Sequence, residues 1–147
     1  MDGMNNIIID NEKYYYTWNE FDEDINHLYQ QIKHWFTDDK KPKLIIGIAR
    51  GGLIPAVALS HLLEIPFKST TWQDRDGGTK ENIFIPDDSL VVDDINDTGL
   101  TFKGVCTGFN TRFSTVSLWQ RQSSLFDVDF RARLCDNEWI VFPWEKD

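Results

Sequence analysis

The chain has 147 residues, of which 41% are hydrophobic and 27% charged. This length and composition indicate one domain with its own core, spanning residues 1–147, and exclude a disordered chain. The net charge of −9 opposes binding to anionic surfaces, so we expect neither nucleic acid nor membrane as a partner.

The cysteines and the opening segment indicate a cytoplasmic protein. Cys106 and Cys135 are too few for a disulfide framework and lack the CxxC spacing of a zinc site, so we expect reduced thiols. The opening sequence MDGMNNIIIDNE has acidic residues where a secretory leader has basic ones. No segment approaches the ~18 to 20 apolar residues that cross a bilayer.

The first half of the chain alternates helical and strand patterns. Apolar residues recur at helical spacing over residues 21–36, which predicts a helix with its N-cap at Thr17 or Asn19. Leu44–Ala49 is almost wholly apolar, a pattern typical of a strand covered on both faces. Leu53–Leu63 returns to helical spacing and predicts a second helix.

The pattern then repeats with a second strand, turn and helix. The polar segment over residues 74–82 predicts a loop, and residues 102–109 predict a short helix. The remaining predicted strands cover residues 65–72, 89–92, 115–119, 127–134 and 139–142. This alternation predicts an α/β fold with a doubly wound, mainly parallel sheet of about five strands flanked by helices.

Ligands of open α/β sheets bind beyond the carboxyl ends of the strands. The first such end carries a short glycine turn, Ala49, Arg50, Gly51 and Gly52. Its backbone N–H groups and the arginine can bind an anion, although a plain glycine turn is the alternative. The spacing is that of a Walker A loop, but Leu53 and Ile54 replace the required lysine and hydroxyl residue, which argues against triphosphate hydrolysis.

The second such end carries an acidic turn, VVDDINDTGLT, over residues 91–101. Asp93 and Asp94 would repel each other if buried without a partner, so we expect them to face ligand hydroxyls, a metal ion or a cation. The threonines and Gly99 that follow offer hydroxyl and backbone donors to an anion at a helix start. An EF-hand calcium site is excluded because Val105 occupies the position where that motif requires a glutamate. The turn therefore indicates a sugar phosphate, with a solvated capping turn as the alternative.

These two turns resemble known motifs. Residues 91–101 resemble the phosphoribosyl-diphosphate (PRPP) signature of type I phosphoribosyltransferases, and residues 49–53, ARGGL, resemble their pyrophosphate loop. The opening YYTW at residues 15–18 and the ending WIVFPWE at residues 139–145 are similar to those of the small xanthine-guanine and hypoxanthine enzymes. The resemblance covers residues 14–145 and implies a small hood built from about residues 1–18 and 120–147.

The resemblance implies how the sugar diphosphate is held. Asp93 and Asp94 would bind the ribose hydroxyls directly or through Mg²⁺. The 5-phosphate would lie in the turn formed by Asp97, Thr98, Gly99, Leu100 and Thr101. Pyrophosphate would bind to Ala49, Arg50, Gly51 and Gly52, and the family often has a cis peptide, which we expect between Ala49 and Arg50.

The resemblance also implies the catalytic and base-binding groups. Asp97 would act as general acid or base near purine N7, and Arg50 would stabilise the leaving pyrophosphate together with Mg²⁺. Trp139 would stack on the base, while the backbone near Ile140 reads its edge. Residues 74–80 would form a flap that closes over the reaction and excludes water.

The chain departs from the family pattern at three places. The purine enzymes present a lysine to the 6-oxo group where this chain has Gln120 and Arg121. Either Arg121 supplies the cation or Gln120 reads the base through neutral hydrogen bonds, and we favour Arg121. Asn96 replaces a residue that is usually aliphatic, and STTWQ at residues 69–73 lacks the Ser-Tyr pair of related flaps.

The sequence therefore predicts a purine phosphoribosyltransferase that joins PRPP to hypoxanthine, guanine or xanthine and releases pyrophosphate. Two alternatives remain open: transfer to another nitrogen base, and a PRPP-binding regulatory protein without turnover. The abundant aromatic residues predict a homodimer or homotetramer.

Overall fold

The computed structural model describes residues 12–71, 85–107 and 113–146. The predicted flap at residues 74–80 lies outside the described residues, as does the beginning of the predicted hood. The strands are β1 (Lys13–Tyr15), β2 (Leu44–Ala49), β3 (Phe67–Thr71), β4 (Ser89–Asn96), β5 (Ser114–Arg121), β6 (Phe130–Cys135) and β7 (Trp139–Val141). The helices are α1 (Trp18–Trp35), α2 (Leu53–Leu63) and α3 (Leu100–Thr107), and a 3-10 helix covers Asp38–Lys40.

Five strands form one parallel sheet in the order β3-β2-β4-β5-β6. One hydrophobic cluster joins this sheet to α1 and α2, and a second joins it to Phe102 and Val105 of α3. Helices therefore cover both faces, which confirms the predicted doubly wound α/β architecture. The strand order places β2 and β4 side by side in the middle of the sheet, so the turns that follow them meet at one edge.

The structure corrects several predicted boundaries. Strand β4 does not end at Val92 but continues through both aspartates to Asn96, because its backbone stays paired with β5. Helix α3 begins at Leu100, two residues earlier than predicted. Helix α1 begins at Trp18, and its N-cap is Thr17 rather than Asn19. A capping box fixes this start, since the backbone N–H groups of Thr17 and Glu20 each donate to the other residue's side chain.

Strands β1 and β7 pair in parallel as a separate two-stranded sheet that joins the two ends of the described chain. An ionic cluster around Arg133 ties this small sheet to the rest of the molecule, since Arg133 Nη1 donates to the Tyr14 hydroxyl of β1 at 3.3 Å. Arg133 on β6 donates through Nε to the Asp24 carboxylate of α1 at 2.7 Å, and Tyr16 donates to the same carboxylate. The guanidinium also lies 5.6 Å from the centroid of the Trp119 ring. Asp24 is thereby buried with its charge compensated.

None of the helices in these described ranges combines the length and the apolar character needed to cross a membrane.

Candidate functional site

The glycine turn after β2 is in contact with the acidic turn, whose first residues belong to β4. A Cβ atom built on Gly51 would lie 2.1 Å from Oδ2 of Asp94, and one on Gly52 would lie 2.5 Å from the carbonyl oxygen of Val92. Only glycine can approach so closely at these two positions. The peptide bond between Ala49 and Arg50 is cis, as predicted. The Arg50 side chain is exposed at this edge of the sheet.

Asp93 and Asp94 are half-buried where the two turns meet. The backbone N–H of Asp94 donates to Oδ1 of Asp93 at 2.9 Å, and that of Ile95 donates to Oδ1 of Asp94 at 2.8 Å. Burial, and then the neighbouring charge of Asp94, raise the pKa of Asp93 well above its usual range. Burial also raises the pKa of Asp94. Both carboxyl groups are therefore in surroundings that favour a cationic or hydroxyl-bearing partner.

Helix α3 begins at Leu100, in the last residues of the acidic turn. Gly99 has φ +93°, and its carbonyl accepts the backbone N–H of Lys103 at 2.9 Å. Thr98 Oγ1 accepts the N–H of Leu100 at 3.2 Å, and Asp97, Thr98 and Leu100 are exposed. Thr101 is half-buried. The exposed side chains of Asp97 and Thr98 thus lie at the start of the helix, where an anion can bind.

A cavity of about 120 Å³ connects the acidic turn to the small sheet of the chain ends. Its lining includes Asp94, Asp97, Arg121, Trp139, Ile140 and Glu145. The structure therefore brings together residues for which the sequence suggested ribose, catalytic and base contacts. The Trp139 side chain is 60% exposed and remains open to a stacking partner.

Arg121 links the acidic turn to the segment before Trp139. Its Nε donates to Oδ1 of Asp97 at 2.6 Å, and its Nη1 donates to the carbonyl oxygens of Glu138, at 2.9 Å, and of Asp136. The side chain is 14% exposed. The guanidinium fork therefore fixes the position of Asp97 relative to the start of β7.

The structure does not bring the Gln120 side chain into this cavity. Its Oε1 accepts from Asn96 Nδ2 at 3.0 Å and from the Val128 N–H at 3.1 Å, while Nε2 donates to Asp127 at 2.8 Å. Consecutive residues of a strand point to opposite faces, so only one of Gln120 and Arg121 can reach the cavity. Arg121 is the residue that does.

Glu145 is a residue to which the sequence analysis gave no role. It lines the cavity, its Oε1 accepts the backbone N–H of Phe142 at 3.0 Å, and its charge contributes to the raised pKa of Asp94. In the sequence, Glu145 is the last residue of the WIVFPWE segment, in which Trp139 is already a candidate site residue. Only the folded chain shows that this carboxylate lies beside the acidic turn.

Both the sequence and the fold of this chain match those of known proteins. A family model described as a phosphoribosyl transferase domain matches residues 12–146. The xanthine-guanine phosphoribosyltransferase of Nitratidesulfovibrio vulgaris is 32% identical over 142 residues, covering 89% of this chain and 83% of the relative. A purine phosphoribosyltransferase structure from Pyrococcus horikoshii superposes with a TM-score of 0.77 and 33% identity, covering 95% of this chain and 97% of that chain. The xanthine-guanine-hypoxanthine phosphoribosyltransferase structure from Helicobacter pylori shares the fold at 23% identity, with a TM-score of 0.77 and coverage of 91% and 94%.

Proposed function

The chain belongs to the phosphoribosyl transferase family, and from this premise we propose that it transfers the 5-phosphoribosyl group of PRPP to a 6-oxopurine base and releases pyrophosphate. The observation that carries this proposal is the direct contact between Gly51 and Asp94. It puts an anion-binding turn beside a diol-binding carboxylate, as a sugar diphosphate requires. The relatives named as purine and xanthine-guanine enzymes support hypoxanthine, guanine or xanthine as the base.

Each part of the substrate has a group of residues to receive it. Asp93 and Asp94 bind the ribose hydroxyls, and the turn Asp97, Thr98, Gly99, Leu100 and Thr101 binds the 5-phosphate. The turn Ala49, Arg50, Gly51 and Gly52 binds pyrophosphate. The base stacks on Trp139, with the backbone of Ile140 along its edge and Arg121 near its 6-oxo group. Support for the ribose and base positions comes from the cavity that Asp94, Arg121 and Trp139 line, and the glycine turn adjoins it through Gly51.

The donor set fits Mg²⁺. No cluster of three or more metal-ligating side chains occurs in the part of the chain that the structure describes. Magnesium is commonly held by one or two carboxylates plus substrate oxygens, which matches the adjacent pair Asp93 and Asp94. When bound, it would neutralise charge on the diphosphate and polarise the bond to the leaving group.

The reaction breaks the bond between ribose C1 and a pyrophosphate oxygen and forms a bond from C1 to a purine nitrogen. By analogy with glycoside hydrolysis, the transition state resembles an oxocarbenium ion, so stabilising the leaving group matters most. Arg50 and the N–H groups of Gly51 and Gly52 receive the charge that develops on pyrophosphate. Asp97, held by Arg121, accepts at purine N7 the proton that the base loses as the new bond forms.

We also infer that the enzyme acts in the cytoplasm as a homo-oligomer, a dimer or a tetramer. Exposed apolar side chains support self-association, among them Trp35 at 72% and Leu125 at 72% exposure. Sedimentation of the purified chain tests the oligomeric state, and a monomer at micromolar concentration would contradict the homo-oligomer.

The decisive test measures nucleotide and pyrophosphate formation from PRPP and Mg²⁺ with hypoxanthine, guanine or xanthine. We expect turnover with at least one base. If the protein is inactive with all three bases but binds PRPP in calorimetry, two alternative functions follow: transfer to another base, or regulation without turnover. Assays with a wider panel of bases separate those two outcomes, because a transferase releases pyrophosphate with at least one base and a regulatory protein with none. Absence of any PRPP binding would overturn the proposed function.

A further inference from the structure

The acidic turn packs against the connection between β5 and β6, residues 122–129. A Cβ atom built on Gly99 would lie 2.6 Å from the backbone nitrogen of Phe126 and 2.8 Å from Ser124 Oγ. The backbone N–H of Leu125 donates to the Thr98 carbonyl at 2.9 Å. Any displacement of residues 124–126 therefore moves Thr98 and Gly99 as well.

A buried amide holds this connection in place. Asn96, the residue that departs from the aliphatic family pattern, is 2% exposed. Its Nδ2 donates to the Phe126 carbonyl at 2.6 Å, and its Oδ1 accepts the Ser124 hydroxyl at 3.1 Å. An aliphatic side chain could replace its volume but neither bond, and would leave the Phe126 carbonyl without the Asn96 donor.

A second buried amide extends the network. Gln120 accepts the other Nδ2 hydrogen of Asn96 and the backbone N–H of Val128, and it donates to Asp127. Asn96 and Gln120 are register partners in neighbouring strands, so the network grows directly out of the central sheet. A connection without regular secondary structure is thus fixed at Ser124, Phe126, Asp127 and Val128 by two strand residues.

We propose that Asn96 and Gln120 are positioning residues that set the affinity for the 5-phosphate of the sugar substrate. This inference rests on the proposed function, which assigns that phosphate to residues 97–101. A phosphate turn must hold its donors within hydrogen-bond reach, and small misplacements lose binding and rate. The base pocket is held by other bonds, those of Arg121 to the carbonyl oxygens of Asp136 and Glu138, so the effect is expected mainly on phosphate binding.

The first test uses Asn96→Leu, which keeps the volume and removes the hydrogen bonds. We expect KM for PRPP and Kd for a nucleoside 5-monophosphate to rise roughly tenfold, because the bonds of Asn96 to Ser124, Phe126 and Gln120 are all lost. KM for the base and Kd for pyrophosphate should stay unchanged. The matched control is Thr115→Val, which breaks the two hydrogen bonds that the Thr115 hydroxyl makes with Asp129 at the other end of the same connection. It should lower thermal stability without changing KM for PRPP.

A second test probes the same network through Gln120, so that the proposal can be tested even if Asn96→Leu does not fold. Gln120→Glu places a carboxylate against Asp127 and should weaken nucleoside 5-monophosphate binding. Adding Asp127→Asn restores a donor–acceptor pair and should recover the affinity. Equal losses for phosphate and base, or no recovery in the double variant, would overturn this inference while the native enzyme still turns over PRPP. A native enzyme that neither binds nor uses PRPP would instead overturn the proposed function.

Discussion

Gly51 and Asp94 occupy adjoining space, with the carboxylate of Asp94 filling the position that the first carbon of any side chain at residue 51 would need. This contact joins two turns that are more than 40 residues apart in sequence. It also makes the glycine essential for the shape of the site and not only for a tight turn.

Gly51→Ala should therefore inactivate the enzyme while leaving the sheet folded. The added methyl group must displace Asp94, and a misplacement of this size costs about 100-fold in kcat/KM. Steady-state kinetics with PRPP as the varied substrate measures the loss. Val57→Ala, an exposed position on the helix that follows the same turn, serves as control and should keep native activity. Native kinetics for the glycine variant would contradict the proposed contact.

Replacing Asp93 and Asp94 together by Asn should abolish turnover and raise the melting temperature of the Mg²⁺-free protein at pH 7. Burial raises the pKa of both carboxyl groups, so folding penalises their charged forms at neutral pH. The difference in melting temperature between the variant and the native protein should shrink as the pH falls towards 4, because the native carboxyl groups are then protonated and no buried charge destabilises the fold. Thermal unfolding at several pH values measures this trend. Retained turnover, or a variant less stable at pH 7, would contradict the assignment.

Arg121→Ala should raise KM for the base more than KM for PRPP. The substitution removes all three bonds that hold Asp97 and the segment before Trp139. Arg121→Lys should recover little, since a single ammonium cannot replace a fork that spans three oxygens. Kinetics with each substrate varied in turn measures the split, and Arg131→Lys on the neighbouring strand is the control. A larger effect on PRPP than on the base would show that the base pocket is misplaced.

Trp139→Ala should weaken base binding by about 1 to 3 kcal/mol, the range measured for a lost base–aromatic stack. Because the side chain is 60% exposed, its removal should leave thermal stability nearly unchanged. Trp35→Ala, at another highly exposed tryptophan, is the matched control and should keep native base affinity. Calorimetry with the base in the presence of pyrophosphate and Mg²⁺ measures the difference. Equal affinities for the two variants would exclude stacking on Trp139.

Arg133→Met should destabilise the fold by about 2 kcal/mol, less than for a fully buried pair because the arginine side chain remains 27% exposed. The loss leaves the Asp24 carboxylate buried without its cation. Arg131→Met breaks an exposed ion pair with Asp127 and should change stability by less than about 1 kcal/mol. Denaturant unfolding of both variants compares the two arginines directly. Equal destabilisation would mean that the buried cluster does not anchor the small sheet.

Local patterns in the sequence were sufficient for the layered architecture. Apolar runs such as Leu44–Ala49 can only be covered on both faces, and alternation with amphipathic helices then leads to a parallel sheet. The end of β4 was missed because charged residues normally stop a buried strand, whereas here the backbone pairing with β5 continues past Asp93 and Asp94.

The sequence alone determined which chemistry is available at the strand ends: a glycine turn for anions and an acidic pair for hydroxyls or a metal. These are properties of residue type and short spacing, and they need no knowledge of distant contacts. The tertiary structure decided which of these groups meet. The register of β5 in the sheet turned Arg121 into the cavity and Gln120 into a buried network, and the segment after β7 brought Glu145 beside Asp94. Such choices depend on packing between distant segments, which no local pattern encodes.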